Sequence, residues 1–291
     1  MQLNNLKTAL ILALLGGVLI AAGGAIYGRT GLVIGLVLGV AITGSSYWFS
    51  DTVAVRAARA VPVSEAEMPE YYAVVRDLTT RAGMPMPRLY VTPDAQPNAF
   101  ATGRNPRHAA VAVTQGILQV CTWSELRGVL AHEISHVGNR DILISSVAAT
   151  LAMAITFLAR MAMWGGLFFG GGGGDRRDED NFIGLLAMMI LAPMAAFLLR
   201  AALSRSREFE ADRSGARLLG DGEPLARALS KLDSGARQIP MPTARPEMAG
   251  LYIVNPLAGR QGGGLNLPRW FSDHPPTPER IARLRSMSFH P

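Results

Sequence analysis

Two uninterrupted apolar runs, residues 8–27 and 31–49, constrain this chain more than anything else in it. They hold 20 and 19 residues without one charged side chain. An α-helix rises 1.5 Å per residue, so about 20 residues cross the ~30 Å hydrocarbon core of a bilayer. In lipid every backbone N–H and C=O must be satisfied within the element, so such a run crosses as a helix. Only Gly28-Arg29-Thr30 separates the two runs, which predicts a tight transmembrane hairpin. Lys7 before the first run also fits a cleaved signal peptide, but a second span following this closely argues against one. Gly31, Gly35 and Gly39 recur every four residues and place small residues on one face for close helix packing. Tyr47, Trp48 and Phe49 form an interfacial aromatic belt. Two more apolar runs, 142–160 and 183–199, flank a Gly-rich, charged loop at 170–181 and predict a second hairpin, with a buried or re-entrant hairpin as the alternative.

Composition agrees: 49% of the 291 residues are hydrophobic and 17% charged. The net charge of +6 comes mainly from scattered arginines. No Lys/Arg-rich run interleaves with aromatics, so the chain reads as binding no nucleic acid. Arg56, Arg59, Arg140, Arg200, Arg205 and Arg207 flank one side of the spans, against Arg29, Arg176 and Arg177 on the other. The positive-inside rule then puts both termini and the larger polar segments in the cytoplasm. A single cysteine, Cys121, excludes an internal disulfide framework and suits a reducing compartment.

The polar segments carry the chemistry. His132-Glu133-Ile134-Ser135-His136 places two histidines four positions apart on a predicted helix. Four positions amount to about 400° of rotation, so both rings leave one face, one turn apart. Two neutral imidazoles there can share one tetrahedral Zn²⁺, and Glu133 beside them can take a proton from a water the ion holds. The helix opens on a capping box, Thr122 with Glu125, and its apolar stripe is Leu126, Val129, Leu130 and Ile134. A hydrolytic site needs a third protein ligand. Glu208 and Asp212, spaced i, i+4 beyond the fourth run, offer a ligand and a brace for a ligand histidine, while Glu210 points away. The same spacing occurs on ordinary charged helix faces. Upstream, residues 88–92 and 109–114 read as strands, an antiparallel pair separated by a loop at 93–103 that carries Asn98. Ser64 with Glu67 reads as another capping box, residues 206–219 and 223–234 as helices, and Thr277-Pro278-Glu279 as a helix start.

These motifs resemble the HtpX membrane zinc metalloproteases, bacterial relatives of the CAAX prenyl endoproteases. The resemblance rests on His132-Glu133-Ile134-Ser135-His136 with Asn139, on Ser206-Arg207-Glu208-Phe209-Glu210-Ala211-Asp212, and on His274-Pro275-Pro276 before Arg280-Ile281. It implies one Zn²⁺ per chain held by His132, His136 and Glu208, Glu133 as general base and Asp212 behind the ligands. Asn139, with Asp141, is expected to cap or brace the metal helix. Asn98 and Ala110, Val111, Ala112 and Val113 resemble the family's edge strand, which pairs with an extended peptide; the alternative is a plain hairpin. His274 is expected either to donate to the oxyanion or to anchor its loop.

The expected fold class is a mainly α membrane protein of four transmembrane helices with a zincin-like α+β metalloprotease domain carrying a small β-sheet. Residues 1–50 form the first hairpin, 51–141 the first part of the catalytic domain, 142–203 the second hairpin and 204–291 the second part. The resemblance implies a multi-pass protein of the bacterial inner membrane that cleaves membrane proteins at the cytoplasmic face in quality control. Two rivals remain: a non-enzymatic scaffold or transporter with a closed structural zinc site, and a site-2-type intramembrane protease. Oligomeric state is not legible here.

Overall fold

The computed structural model describes residues 2–169, 205–259 and 275–288. The predicted span 183–199, the loop 170–181 and His274 lie outside the described residues.

Helix α1 (Gln2–Ala57) contains both of the first apolar runs. It is not straight. Gly28 has φ 59°, and a Cβ built on Gly39 would lie 3.5 Å from the backbone of Gly16. Residues 23 apart on a straight helix would be about 35 Å apart, so the chain turns back at Gly28 and its two arms pack together. Gly31, Gly35 and Gly39 are all buried, the close-packing face their spacing predicts. The arm Gly28–Ala57 is 30 residues long, has a mean hydropathy of 1.8 and is only 17% buried over its most apolar stretch. Its Leu32, Val37 and Val40 are 44%, 61% and 63% exposed, which no soluble core helix would show. Among the described residues this is the one helix long and apolar enough to cross a membrane; Asp141–Thr156, within helix α5 (Asp141–Phe169), is a shorter apolar helix.

After the hairpin the chain builds a four-stranded sheet in the order β1-β2-β4-β3, from β1 (Val61–Pro62), β2 (Arg88–Thr92), β3 (Ala99–Gly103) and β4 (Ala109–Thr114). Two expectations are corrected here. First, β2 and β4 run parallel, with Arg88 opposite Ala110, and the expected loop between them contains a strand, β3, antiparallel to β4 with Phe100 opposite Ala112. Second, β4 is no edge: it is bonded on both sides, and the strands on the edges are β1 and β3. The reason is legible in Ala-Ala-Val-Ala-Val-Thr. All six residues are buried, with Val111 and Val113 in one core cluster and Ala112 in another. A strand buried on both faces is a continuous apolar run and shows no alternation.

Helix α2 (Pro69–Arg81) packs Tyr71, Val75 and Leu78 into the same core as Leu126, Val129 and Leu130 of helix α4 (Trp123–Gly138). Ser64 and Glu67 do interact, with Ser64 N–H and Oγ each 2.7 Å from Glu67 Oε2. They close a turn ahead of α2 and do not cap the helix, whose N-cap is Met68. The box at α4 forms as expected: Thr122 Oγ1 accepts from Glu125 N–H, and Glu125 Oε2 accepts from Thr122 N–H at 2.8 Å. Between β4 and α4 lies the short helix α3 (Gln115–Val120). Helices α6 (Arg205–Leu219), α7 (Glu223–Gln238) and α8 (Thr277–Arg285) complete the polar domain, and α6 and α7 both pack on α4.

Candidate active site

Helix α4 is buried along most of its length, which fixes the direction of its polar side chains. His132 and Glu133 are 1% and 2% exposed. Helix α6 crosses α4 at Gly215, where a Cβ would lie 2.9 Å from the backbone N of His132. Only a glycine allows that approach, and it brings the first turns of α6, with Glu208 and Asp212, against the two histidines.

The three expected ligands converge. His132 Nε2 and His136 Nε2 are 3.1 Å apart. Glu208 Oε1 lies 3.4 Å from His136 Nε2, and Oε2 lies 3.8 Å from His132 Nε2. Each of the three residues offers a ligand atom within 4.8 Å of the others. Ligands about 2.0–2.1 Å from a tetrahedral ion sit about 3.3 Å from one another, close to these spacings. The donor chemistry fits as well. His136 Nδ1 faces Asp141 Oδ2 at 3.2 Å. His132 Nδ1 lies 2.9 Å from Asp212 Oδ1. Carboxylates at both far nitrogens favour the tautomer with its proton there. Both Nε2 atoms then face one another and the Glu208 carboxylate, the donor set that a zinc ion at their centre would take.

Behind the ligands is a residue that only the family motif had drawn in. Arg280 of α8 is 1% exposed. Its Nε and Nη2 donate to Asp212 at 2.9 and 2.7 Å, and its Nη1 donates to the Ile253 carbonyl at 2.9 Å. Burial works against the charge on Asp212, but Arg280 and His132 outweigh it and hold the carboxyl at about 2. No periodicity distinguishes a buried arginine on a nine-residue helix from a surface one.

Burial pushes the His132 ring down to about 4 despite Asp212. Burial also opposes charge on His136, yet Glu208, Asp141 and Glu133 outweigh it and hold that ring up to about 10. Burial raises the Glu133 carboxyl to about 7, with Glu208 adding to the rise and the Ala101 N–H of β3 among the groups that offset it.

The cleft around these groups is lined by Ala101, by Asp141, Ile142 and Ser145 at the start of α5, and by residues 250–253. The last segment was not foreseen. Ile253 N–H donates to the Ala99 carbonyl and Tyr252 bridges Phe100, so part of the outer edge of β3 is already paired. This pairing joins residues some 150 apart in sequence and leaves no local signal.

Asn98 is fully buried, and its amide is spent on Val254, donating to that carbonyl at 2.9 Å. It pins residues 252–254 to β3 and is not presented to an incoming peptide. Ala110, Val111, Ala112 and Val113 lie inside the sheet and offer no free edge. Asn139 caps the C-terminus of α4, and among the described residues its side-chain amide nitrogen has no partner; the brace of His136 is Asp141. Glu210 is exposed, as expected.

Two histidines one turn apart, a carboxylate from a second helix and a buried glutamate in the same cleft define the site of a metallopeptidase. The chain belongs to peptidase family M48, whose model matches residues 65–288. It is 50% identical over 285 residues to a protein described as Protease HtpX homolog from Syntrophobacter fumaroxidans, covering 98% of this chain and 99% of that one. A second Protease HtpX homolog, from Pelotomaculum thermopropionicum, is 49% identical over 286 residues, covering 98% and 100%. The crystal structure of S. mikatae Ste24p shares the fold at a TM-score of 0.50 and 18% identity; the match takes in 97% of this chain and 66% of that one. The protein is thus a membrane metalloprotease of the HtpX type.

Proposed function

We propose that this protein is a zinc endopeptidase that cleaves membrane proteins at the cytoplasmic face of the bacterial inner membrane, as part of their quality control. The observation that carries the reading is the convergence of His132, His136 and Glu208 to within 4.8 Å, with Glu133 in the same cleft. Those three residues would hold the ion. Bound there, zinc would supply a Lewis acid and make a water nucleophilic near neutral pH. Among the described residues the ligand group has three members, which suits a hydrolytic centre better than a closed structural one.

The chain's own groups then divide the work. Asp212 and Asp141 fix the histidine rings from behind. Glu133, raised by burial to about 7, takes the proton of the attacking water and returns it to the leaving amine. The substrate would lie extended along the cleft between Ala101 and residues 250–253, which already cover part of the outer edge of β3, and not on β4. The membrane setting fits this assignment. The cleft is walled by the first residues of α5, and the same helix packs along the hairpin helix α1, so the site adjoins the elements that meet the bilayer. Four spans with both termini cytoplasmic follow from the apolar runs and the arginine distribution.

The test is Glu133→Gln on the full chain in micelles. The expected outcome is one zinc per chain by elemental analysis, with cleavage of an unfolded membrane substrate, or of the enzyme itself, lower by about 10²–10⁴. Wild-type cleavage by the zinc-loaded variant would overturn the mechanism.

A further inference from the structure

The exposed apolar surface of α1 ends at a defined level. Leu32 through Val40 line the exposed face of its second arm, and Trp48 and Phe49 close it at 57% and 58% exposure. Beyond them Ser50 and Ala54 are buried against the polar domain. Trp48 lies 20 residues after Gly28, about 30 Å along a helix and therefore one hydrocarbon thickness. Its ring belongs at the headgroup level.

The connection between β3 and β4 comes to this ring. Arg104 donates from Nη1 to the Trp48 carbonyl at 3.0 Å, and its guanidinium sits 4.9 Å from the centre of the Trp48 ring. The other side of the connection is pinned to α5: Thr102 Oγ1 and Ser146 Oγ are 2.8 Å apart, and Gly103 N–H donates to that same oxygen. Asn105 Oδ1 accepts from His108 N–H and closes the turn, leaving Arg107 exposed. Residues 95–124 contain no acidic side chain, and among the described residues neither Arg104 nor Arg107 has a carboxylate partner. A cationic turn is therefore held rigidly at the height of the phospholipid headgroups.

We propose that this turn, with Arg104 and Arg107 as its charges and Trp48 as its floor, is a docking surface for anionic phospholipid headgroups. Docking there fixes β3, whose Ala101 lines the cleft, at a set height above the bilayer. An arginine near an anionic surface is worth about 1 kcal/mol, or about fivefold in affinity, and two give about 30-fold.

The experiment uses the full chain, in nonionic micelles at low salt, titrated with short-chain phosphatidylglycerol or short-chain phosphatidylcholine. Native mass spectrometry reads the bound lipid, and zinc content and peptidase activity are followed in parallel. The expected result is a preference for phosphatidylglycerol that falls about 30-fold in Arg104→Gln/Arg107→Gln, with phosphatidylcholine binding unchanged. Arg104→Lys/Arg107→Lys retains most of it, and 0.5 M salt removes most of it. If the double glutamine variant does not fold, Arg107→Gln alone, on an exposed side chain, should lose about fivefold. Equal binding of the two lipids by the wild type, unchanged preference in the glutamine variants, or competition by millimolar inorganic phosphate would each overturn the proposal. Because zinc and activity are read separately, a failed lipid preference leaves the peptidase reading standing, and the converse.

Discussion

Arg280→Met removes the charge on which the inner layer of the site depends. Arg280 and Asp212 are each 1% exposed, and the guanidinium holds both carboxylate oxygens, at 2.7 and 2.9 Å, together with the Ile253 carbonyl. Two effects compete in the variant. Methionine keeps most of the apolar volume of the arginine stem, so little packing is lost. The carboxylate of Asp212, however, is left buried without its counter-charge, and breaking such a pair costs about 3–5 kcal/mol. The orphaned Ile253 carbonyl adds about 1 kcal/mol or more. The charge penalty dominates, and a net loss of about 4–6 kcal/mol should lower the thermal midpoint in micelles by roughly 8–24 °C. Asp212→Asn alone is destabilising for a related reason, since it leaves the buried Arg280 only the more distant Glu208 Oε2, at 3.9 Å, as a counter-charge. The double variant Arg280→Met/Asp212→Asn removes both charges and should recover at least about 2 kcal/mol relative to the sum of the singles. Unfolding of all four proteins, with zinc affinity measured by chelator competition, closes the cycle. A loss below about 1 kcal/mol for Arg280→Met, or strict additivity in the double variant, would refute the pair's role.

Four further outcomes can be checked. Asp141→Ala removes the brace 3.2 Å from His136 Nδ1 and should weaken zinc binding by about 10–100-fold, read by chelator competition. Gly128→Ala would put a Cβ 2.5 Å from the backbone N of Leu225, and Gly215→Ala would put one 2.9 Å from that of His132. Both should cost about 1–3 kcal/mol in unfolding, but only the second, at the crossing that delivers Glu208, should also weaken zinc binding. Glu125 is 5% exposed and bonded to Lys231 Nζ at 2.8 Å; burial opposes its charge, but Lys231 and Thr122 outweigh it and hold the carboxyl below its usual range. A depressed folded pKa adds stability above the unfolded value of about 4.3 that is lost as pH falls through the folded one. Wild type should therefore exceed Glu125→Gln by about 1 kcal/mol at pH 7 in unfolding measurements, the gap closing below about pH 4.

What the sequence determined by itself was whatever repeats over a few residues. Helical spacing put His132 and His136 on one face and paired Glu208 with Asp212. Glycine spacing marked the packing face of α1, and Thr122 with Glu125 marked where the metal helix begins. The tertiary structure decided whatever depends on partners distant along the chain. Ala-Ala-Val-Ala-Val-Thr has the unbroken apolar pattern of a strand buried on both faces, but only its pairing with both β2 and β3 places it inside the sheet. Residues 98 and 254 meet only in the fold, which turns Asn98 from an expected peptide contact into an internal pin. Arg280 carries no sequence mark of burial, since a guanidinium enters a core only where a carboxylate such as Asp212 already waits for it. The ligands were legible because metal coordination imposes a local spacing. Their supports were not, because burial and charge compensation are properties of the assembled fold.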